Sequence, residues 1–468
     1  MKPTRLQMLA YNILIIIILM GLILLPRPAA GYLDVNKARH FDAAGDHAIA
    51  ASAYALAAER LPWQPALWDK AGTAAQLSGN PADAILFLNR AAIRNAISQS
   101  GWVSLGLAYQ NIGNISLAIK AWEHALPSAK AYRYLARDQR KLGDFPAATA
   151  DWRAIILQEP GDASAHYQLG LLMMTNDPKD ALPVLMEAAQ LNPSLDASVQ
   201  SLRSSLNTAF LSDDRAYQFM MSGRALGALG DWNLAAEAFH HAIAVRADYG
   251  EAWAWLSEAK QQEGQDGSIE MEKALALNPN SAMFQGLYGL YLQRQKQLKQ
   301  ALAAFQKAAD MEPKDPGWQM ALGGTYEQNG DLVAALEHYQ SATELSPNDA
   351  VTWRALAEFS LRNGVDLSGT GLPAVRRLVE LANNDWQADD IAGQILMDTG
   401  DLVGAEGLLK KAIELNPTQA APSLHLGLLY LQTGNRAGAY SYLNLAKTFD
   451  PDGPYGWQAS RLLEQYFP

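Results

Sequence analysis

The stretch WVSLGLAYQNIGNISLAIKAWEHAL, residues 102–126, sets Trp102, Leu105, Gly106 and Tyr109 on one helical face. After a turn containing Gly113, Ala118, Trp122 and Ala125 lie on the face of a second helix. Much the same skeleton returns at intervals of about 34 residues as far as the C-terminus. No other feature constrains the fold as strongly. A segment that cannot bury its apolar face alone, repeated many times, buries it by stacking on copies of itself. The residue types fit that task. Small residues at Gly106 and Ala118 let two helices approach closely, and large ones at Trp102, Tyr109 and Trp122 fill the space between neighbours. Gly113 can end the first helix in the left-handed region, and a proline near the end of each frame stops the second helix.

The frame is clear at Trp68, Ala71-Gly72, Ala84 and Ala91, and at Leu135, Ala148, Trp152 and Pro160. It is clear again at Tyr288-Gly289, Ala301, Phe305 and Pro313, and at Leu426-Gly427, Tyr430, Ala439, Leu443 and Pro451. This pattern resembles the tetratricopeptide repeat, a helix–turn–helix unit. The resemblance spans residues 31–468 in about twelve frames. It implies an all-α superhelical solenoid whose first helices line a concave groove. Two stretches depart from the frame. Residues 195–215 carry Leu195, Val199, Leu202, Leu206 and Phe210 at helical spacing and read as an extra amphipathic helix. Residues 363–373, NGVDLSGTGLP, read as a loop inside the tenth repeat.

Leu6 to Leu25 are apolar apart from Gln7 and Asn12, long enough to span a bilayer. Lys2 and Arg5 precede the stretch, and Pro26-Arg27-Pro28 follow as a short, stiff link. A cleaved signal peptide is the competing reading, but Pro28-Ala29-Ala30 makes a poor cleavage site. An uncleaved single-pass anchor is favoured. The basic residues lean towards the N-terminus inside and the repeats outside the cytoplasm. The expected organisation is an anchor and linker at 1–30, a proximal block at 31–194, the extra helix at 195–215, a distal block at 216–453 and a capping helix at 454–468.

Composition excludes several function classes. The chain has no cysteine, which removes disulfides, thiolate nucleophiles and Cys-ligated metal. A net charge of −11 makes it a poor ligand for nucleic acid. No phosphate loop, nucleophile elbow or metal-binding helix motif occurs, so neither a cofactor nor an enzyme activity is expected. His240-His241 are adjacent and do not share a helix face, which favours surface or groove roles over metal binding. Asp213-Asp214 and Asp389-Asp390 read as helix caps rather than acid/base pairs. SGTG at 368–371 reads as a connecting loop rather than a phosphate cradle.

One cluster stands out. The groove-facing positions of the fourth repeat are Lys130, Arg133, Arg137, Arg140 and Lys141. They read either as a local anion site for a carboxylate, an acidic segment or an acidic glycan, or as a solvated face neutralised by carboxylates of neighbouring repeats. Elsewhere Tyr32, Tyr167, Tyr217, Met220 and Met320 read as groove residues or as packing. Glu251 and Glu258 make the seventh repeat acidic, as Asp390 and Asp398 do the eleventh. Asp69 and Thr73 stand where the clamp of the chaperone-tail subclass of these repeats would begin, which argues against that partner. The resemblance implies a scaffold that binds a peptide, a protein segment or a partner subunit in its groove, and the apolar stretch 6–25 is expected to tether it to the membrane. Docking to a machine that assembles or exports envelope polymers is the alternative.

Overall fold

The computed structural model describes residues 26–468. The apolar stretch 6–25, and the membrane anchor expected there, lies outside the described residues. Among the described residues there are twenty-six α-helices and no strand, and no helix is long and apolar enough to cross a membrane.

The chain divides into two compact units, residues 1–247 and 248–468. In the first, α1 (Pro26–Ala43) pairs with α2 (His47–Arg60), and α3 (Ala66–Leu77) with α4 (Pro81–Ile93). Then come α5 (Gln99–Asn111) with α6 (Ile115–His124), α7 (Ala129–Lys141) with α8 (Phe145–Gln158), and α9 (Ala163–Asn176) with α10 (Pro178–Leu191). A lone helix, α11 (Asp196–Ala209), precedes the pair α12 (Arg215–Ala228) and α13 (Trp232–Val245). The second unit pairs α14 (Gly250–Gln262) with α15 (Ser268–Leu277), α16 (Ala282–Arg294) with α17 (Leu298–Met311), and α18 (Pro316–Gln328) with α19 (Leu332–Leu345). It continues with α20 (Ala350–Asn363) and α21 (Leu372–Leu381), α22 (Trp386–Thr399) and α23 (Leu402–Leu415), and α24 (Ala420–Gln432) and α25 (Arg436–Phe449). A final helix, α26 (Pro454–Tyr466), packs on α24 and α25.

Each pair is held by the contact that the residue types anticipate. A Cβ on Gly106 would collide with the indole of Trp122, which is fully buried and donates its Nε1–H to the carbonyl of Val103 at 3.2 Å. The same approach recurs at Gly289, where a Cβ would lie 2.6 Å from the Phe305 ring. Gly113 sits at φ +78° and ends α5 in the left-handed region. Asp144, Asp331 and Asp401 each cap the second helix of a repeat through a backbone N–H three residues on.

Two details differ from the sequence expectation. Pro26 and Pro28 form no separate linker: both already lie within helix α1. The helix that carries the first repeat therefore takes in residues before 31. The loop of the tenth repeat is partly helical, with Leu367–Gly371 forming one π-helical turn. Within it the Thr370 hydroxyl donates to Asp366 at 2.7 Å.

The extra helix changes how the first unit stacks. Val199, Leu202 and Leu206 of α11 are buried against neighbours, and α11 takes most of the contact with α12 that α10 would otherwise make. Both α12 and α13 pack on α9, the first helix of the fifth repeat. The sixth repeat thus folds back onto the first-helix side of its predecessors.

Candidate functional site: the first-helix faces

First helices of successive repeats touch one another in both units, as α3 touches α5 in the first, and α20, α22, α24 and α26 touch in series in the second. Side chains on these faces are not consumed by packing within a repeat. They form the candidate interaction surface.

In the first unit this face carries the basic stripe of α7, which the fold splits into two sets. Arg133 is paired with Glu159 and with Asp162 at 2.8 Å. Arg140 is paired with Asp231 and donates to Gln168 Oε1 at 2.5 Å. Lys130, Arg137 and Lys141 are exposed and form no ion pair among the described residues. The helical repeat explains the split: at about 100° per residue these three fall within an arc of about 40°, and Arg133 and Arg140 lie some 60–80° to one side of Lys130. Beneath the stripe Asp138 is fully buried, with Gln110 Nε2 donating to it at 3.2 Å. Burial raises its pKa, and Lys141, Gln110 and Arg137 oppose the rise.

Asp231 shows what the folded-back repeat costs locally. It stands at the N-cap of α13, equivalent to Asp144, Asp331 and Asp401, yet its side chain makes no capping bond. Its carboxylate is drawn to Arg140, 91 residues earlier. His241 of α13 adds a second tie through its Nδ1, 2.5 Å from the Thr175 carbonyl oxygen of α9. Of the Tyr and Met groove candidates, Met220 is 1 % exposed and belongs to the core, and Tyr32 is half-exposed.

In the second unit the face is crossed by ionic rungs one repeat apart. Arg294 clasps Glu258 with two bonds of 2.6 and 2.7 Å. Arg362 clasps Glu327 at 3.1 and 3.2 Å, and Asn363 and Tyr339 also donate to that carboxylate. Burial alone would raise the Glu327 pKa, but the Arg362 and Asn363 hydrogen bonds and the guanidinium charge hold it below the usual range. The Tyr339 phenol is pushed up by burial and by the Glu327 carboxylate.

Asp389 and Asp390 do not cap a helix. The cap of α22 is Asp385, which accepts from the Gln387 N–H at 2.9 Å. Asp389 and Asp390 lie inside the helix and are buried. Lys411 approaches Asp389 at 2.8 Å, and His425 Nδ1 meets Asp390 Oδ1 at 2.8 Å. Asp213-Asp214 follow expectation, Asp214 accepting from the Ala216 and Tyr217 N–H groups. Asp390 and His425 line a cavity of about 410 Å³ together with Glu358, Arg362, Trp386 and Tyr455. In the sequence His425 is one of several scattered histidines. The signal that marks it is its separation from Asp390 by 35 residues, matching Glu327–Arg362 at 35 and Glu258–Arg294 at 36. Among the described residues no group of three or more His, Asp and Glu side chains could hold a metal.

Stacked helix–turn–helix units with this packing define an all-α repeat solenoid. A tetratricopeptide repeat family model matches residues 134–196, 270–316 and 287–350, and a second matches 396–463. The chain therefore carries tetratricopeptide repeats. No curated protein matches the sequence. Among solved structures it is similar to yeast Tom70, at 14 % identity over 93 % of this chain and 95 % of that one, with a TM-score of 0.43. It is also similar to the APC/C hetero-tetramer Cut9-Hcn1, at 13 % identity over 92 % and 95 %, with a TM-score of 0.44. A third is YrrB, described as a repeat protein with an unusual peptide-binding site, at 22 % identity over 41 % and 97 %, with a TM-score of 0.34.

Proposed function

We propose that this chain is a membrane-tethered interaction scaffold that holds a peptide or protein partner against the first-helix faces of its repeats. The observation that carries the reading is the display of charged and aromatic side chains on stacked first helices, where packing within a repeat does not require them. The apolar stretch 6–25 supports tethering, and the flanking basic residues support an extracytoplasmic repeat region.

A photo-crosslinking residue placed at Arg137 or Gln387, on first helices, tests this in native membranes. It should capture a defined partner, whereas the same residue at exposed Val403 on second helix α23 should not. Equal capture from both faces would refute the assignment. Protease added to intact cells tests sidedness: complete protection of the second unit contradicts the outside orientation.

The arc of Lys130, Arg137 and Lys141 favours an acidic ligand at the first unit, an acidic peptide segment or an acidic glycan, and with it a role beside envelope-polymer machinery. Retention on an acidic polysaccharide column should fall with salt and should be lost in Arg137→Ala/Lys141→Ala. Unchanged retention by that variant removes the anion site.

A further inference from the structure

The second unit buries four carboxylates, Glu258, Glu270, Asp389 and Asp390. Three have a permanent cation at hand: Arg294 for Glu258, Lys260 for Glu270 and Lys411 for Asp389. Among the described residues Asp390 has only the amide of Gln394, at 3.2 Å, and the imidazole of His425. It is also the one of the four that lines the cavity among α20, α22, α24 and α26. A buried carboxylate without an ammonium or guanidinium partner is a costly arrangement, and here it faces an opening.

We infer that this cavity receives a cationic side chain, lysine or arginine, from a polypeptide bound along the first-helix face of the second unit. The inference rests on the scaffold reading and names the chemistry that the groove selects.

The charge count agrees. Two carboxylates, Glu358 and Asp390, and one guanidinium, Arg362, line the cavity. That guanidinium is already spanned by Glu327 on one side and touched by Glu358 at 3.3 Å on the other. An acidic segment would find no unengaged cation here and would meet Glu358 and Asp390. A lysine or arginine would supply the missing positive charge. The walls suit it as well. Trp386 and Tyr455 bring aromatic rings to the cavity, and Tyr455 is 41 % exposed. Aromatic faces beside carboxylates attract cations through the ring quadrupole. The volume of about 410 Å³ leaves room for the side chain and for the backbone that carries it.

An array of random linear peptides probed with the full-length chain in detergent tests the inference. Bound peptides should be enriched in Lys or Arg, and binding of enriched peptides should weaken with added salt. Glu358→Gln, at a partly exposed position, and Tyr455→Ala, at an exposed one, should each weaken that binding about tenfold or more with unchanged helical content. Asp390→Asn should erase the preference, and Glu358→Gln stands in should Asp390→Asn fail to fold. Peptides bound without a basic preference, or a preference intact in Glu358→Gln and Tyr455→Ala, overturn the inference and leave the scaffold reading standing. No bound peptide at all overturns both.

Discussion

Asp151 offers the sharpest energetic test of the packing. It lies on α8, and its Oδ2 is buried without a hydrogen-bond partner. Burial raises its pKa from 3.8 to about 6; Gln139 opposes the rise, and the nearby Glu123 and Asp144 carboxylates add to it. The sign follows from linkage. With the folded pKa above the unfolded one, the folded chain holds the proton more tightly between about pH 4 and 6. Stability is therefore lost as pH rises through that window, and the full penalty persists at neutral pH. A shift from 3.8 to about 6, at 1.36 kcal/mol per unit, sets an upper bound of about 3 kcal/mol at pH 7.5. The side chain is only half-buried, and solvent screening brings the penalty to about 2 kcal/mol. At pH 4 no more than about 0.5 kcal/mol of it remains.

Asp151→Asn keeps the shape and removes the charge. The variant should be more stable than the parent by about 2 kcal/mol at pH 7.5 and nearly equal to it at pH 4. Repeat arrays open locally, so the assay is hydrogen exchange on peptides covering α7 and α8 rather than a global melt. Protection of those peptides should rise about thirtyfold at pH 7.5 and hardly at pH 4. A gain of the same size at both pH values, or a loss at pH 7.5, would refute the claim that a desolvated carboxylate sits there.

Other perturbations separate close packing from mere helix formation. Gly106→Ala should cost about 1–3 kcal/mol, because its Cβ enters the Trp122 indole. Gly407→Ala, on exposed α23 with nothing within 4 Å, should gain about 0.5–1 kcal/mol. Hydrogen exchange of the flanking helices reads both. Arg294→Ala should destabilise by roughly 3 kcal/mol, because Glu258 is left buried without a cation, with only the Gln262 amide donating to it. Adding Glu258→Gln to that variant should recover more than half of the loss in urea titrations; no recovery would mean that the rung does not carry the energy.

What could be read from the sequence divides along the range of the interactions. The helix pairs, the close approach at Gly106, the left-handed Gly113 and the Asp214 cap all depend on residues within one repeat, and local spacing encodes them. The return of the sixth repeat onto α9 depends on a partner 91 residues away and on a cap residue diverted from its local task. No local pattern distinguishes Asp231 from Asp144, so the basic stripe is uniform in sequence, and only the fold takes Arg140 and Arg133 out of it. Asp389 and Asp390 mislead for a related reason: Asp385 also precedes them, and only the helix start at Trp386 decides which acid caps.

One class of long-range contact is nevertheless encoded in plain spacing. In a stacked array a residue on one first helix faces its counterpart on the next, so complementary groups recur at the repeat period. Glu258–Arg294, Glu327–Arg362 and Asp390–His425 join neighbouring first helices at 35 or 36 residues, close to first-helix starts that lie 32 or 34 apart. In the first unit Gln110 meets Asp138 at 28, because the third repeat is short and α7 starts 30 residues after α5. Complementary pairs that fall near each repeat's own length, within about four residues of it, therefore point to rungs in the amino-acid sequence itself. The same offset singles out Asp390 as the buried acid whose period-spaced partner is an imidazole rather than a permanent cation, and that is the position where a cation from another chain has a place to go.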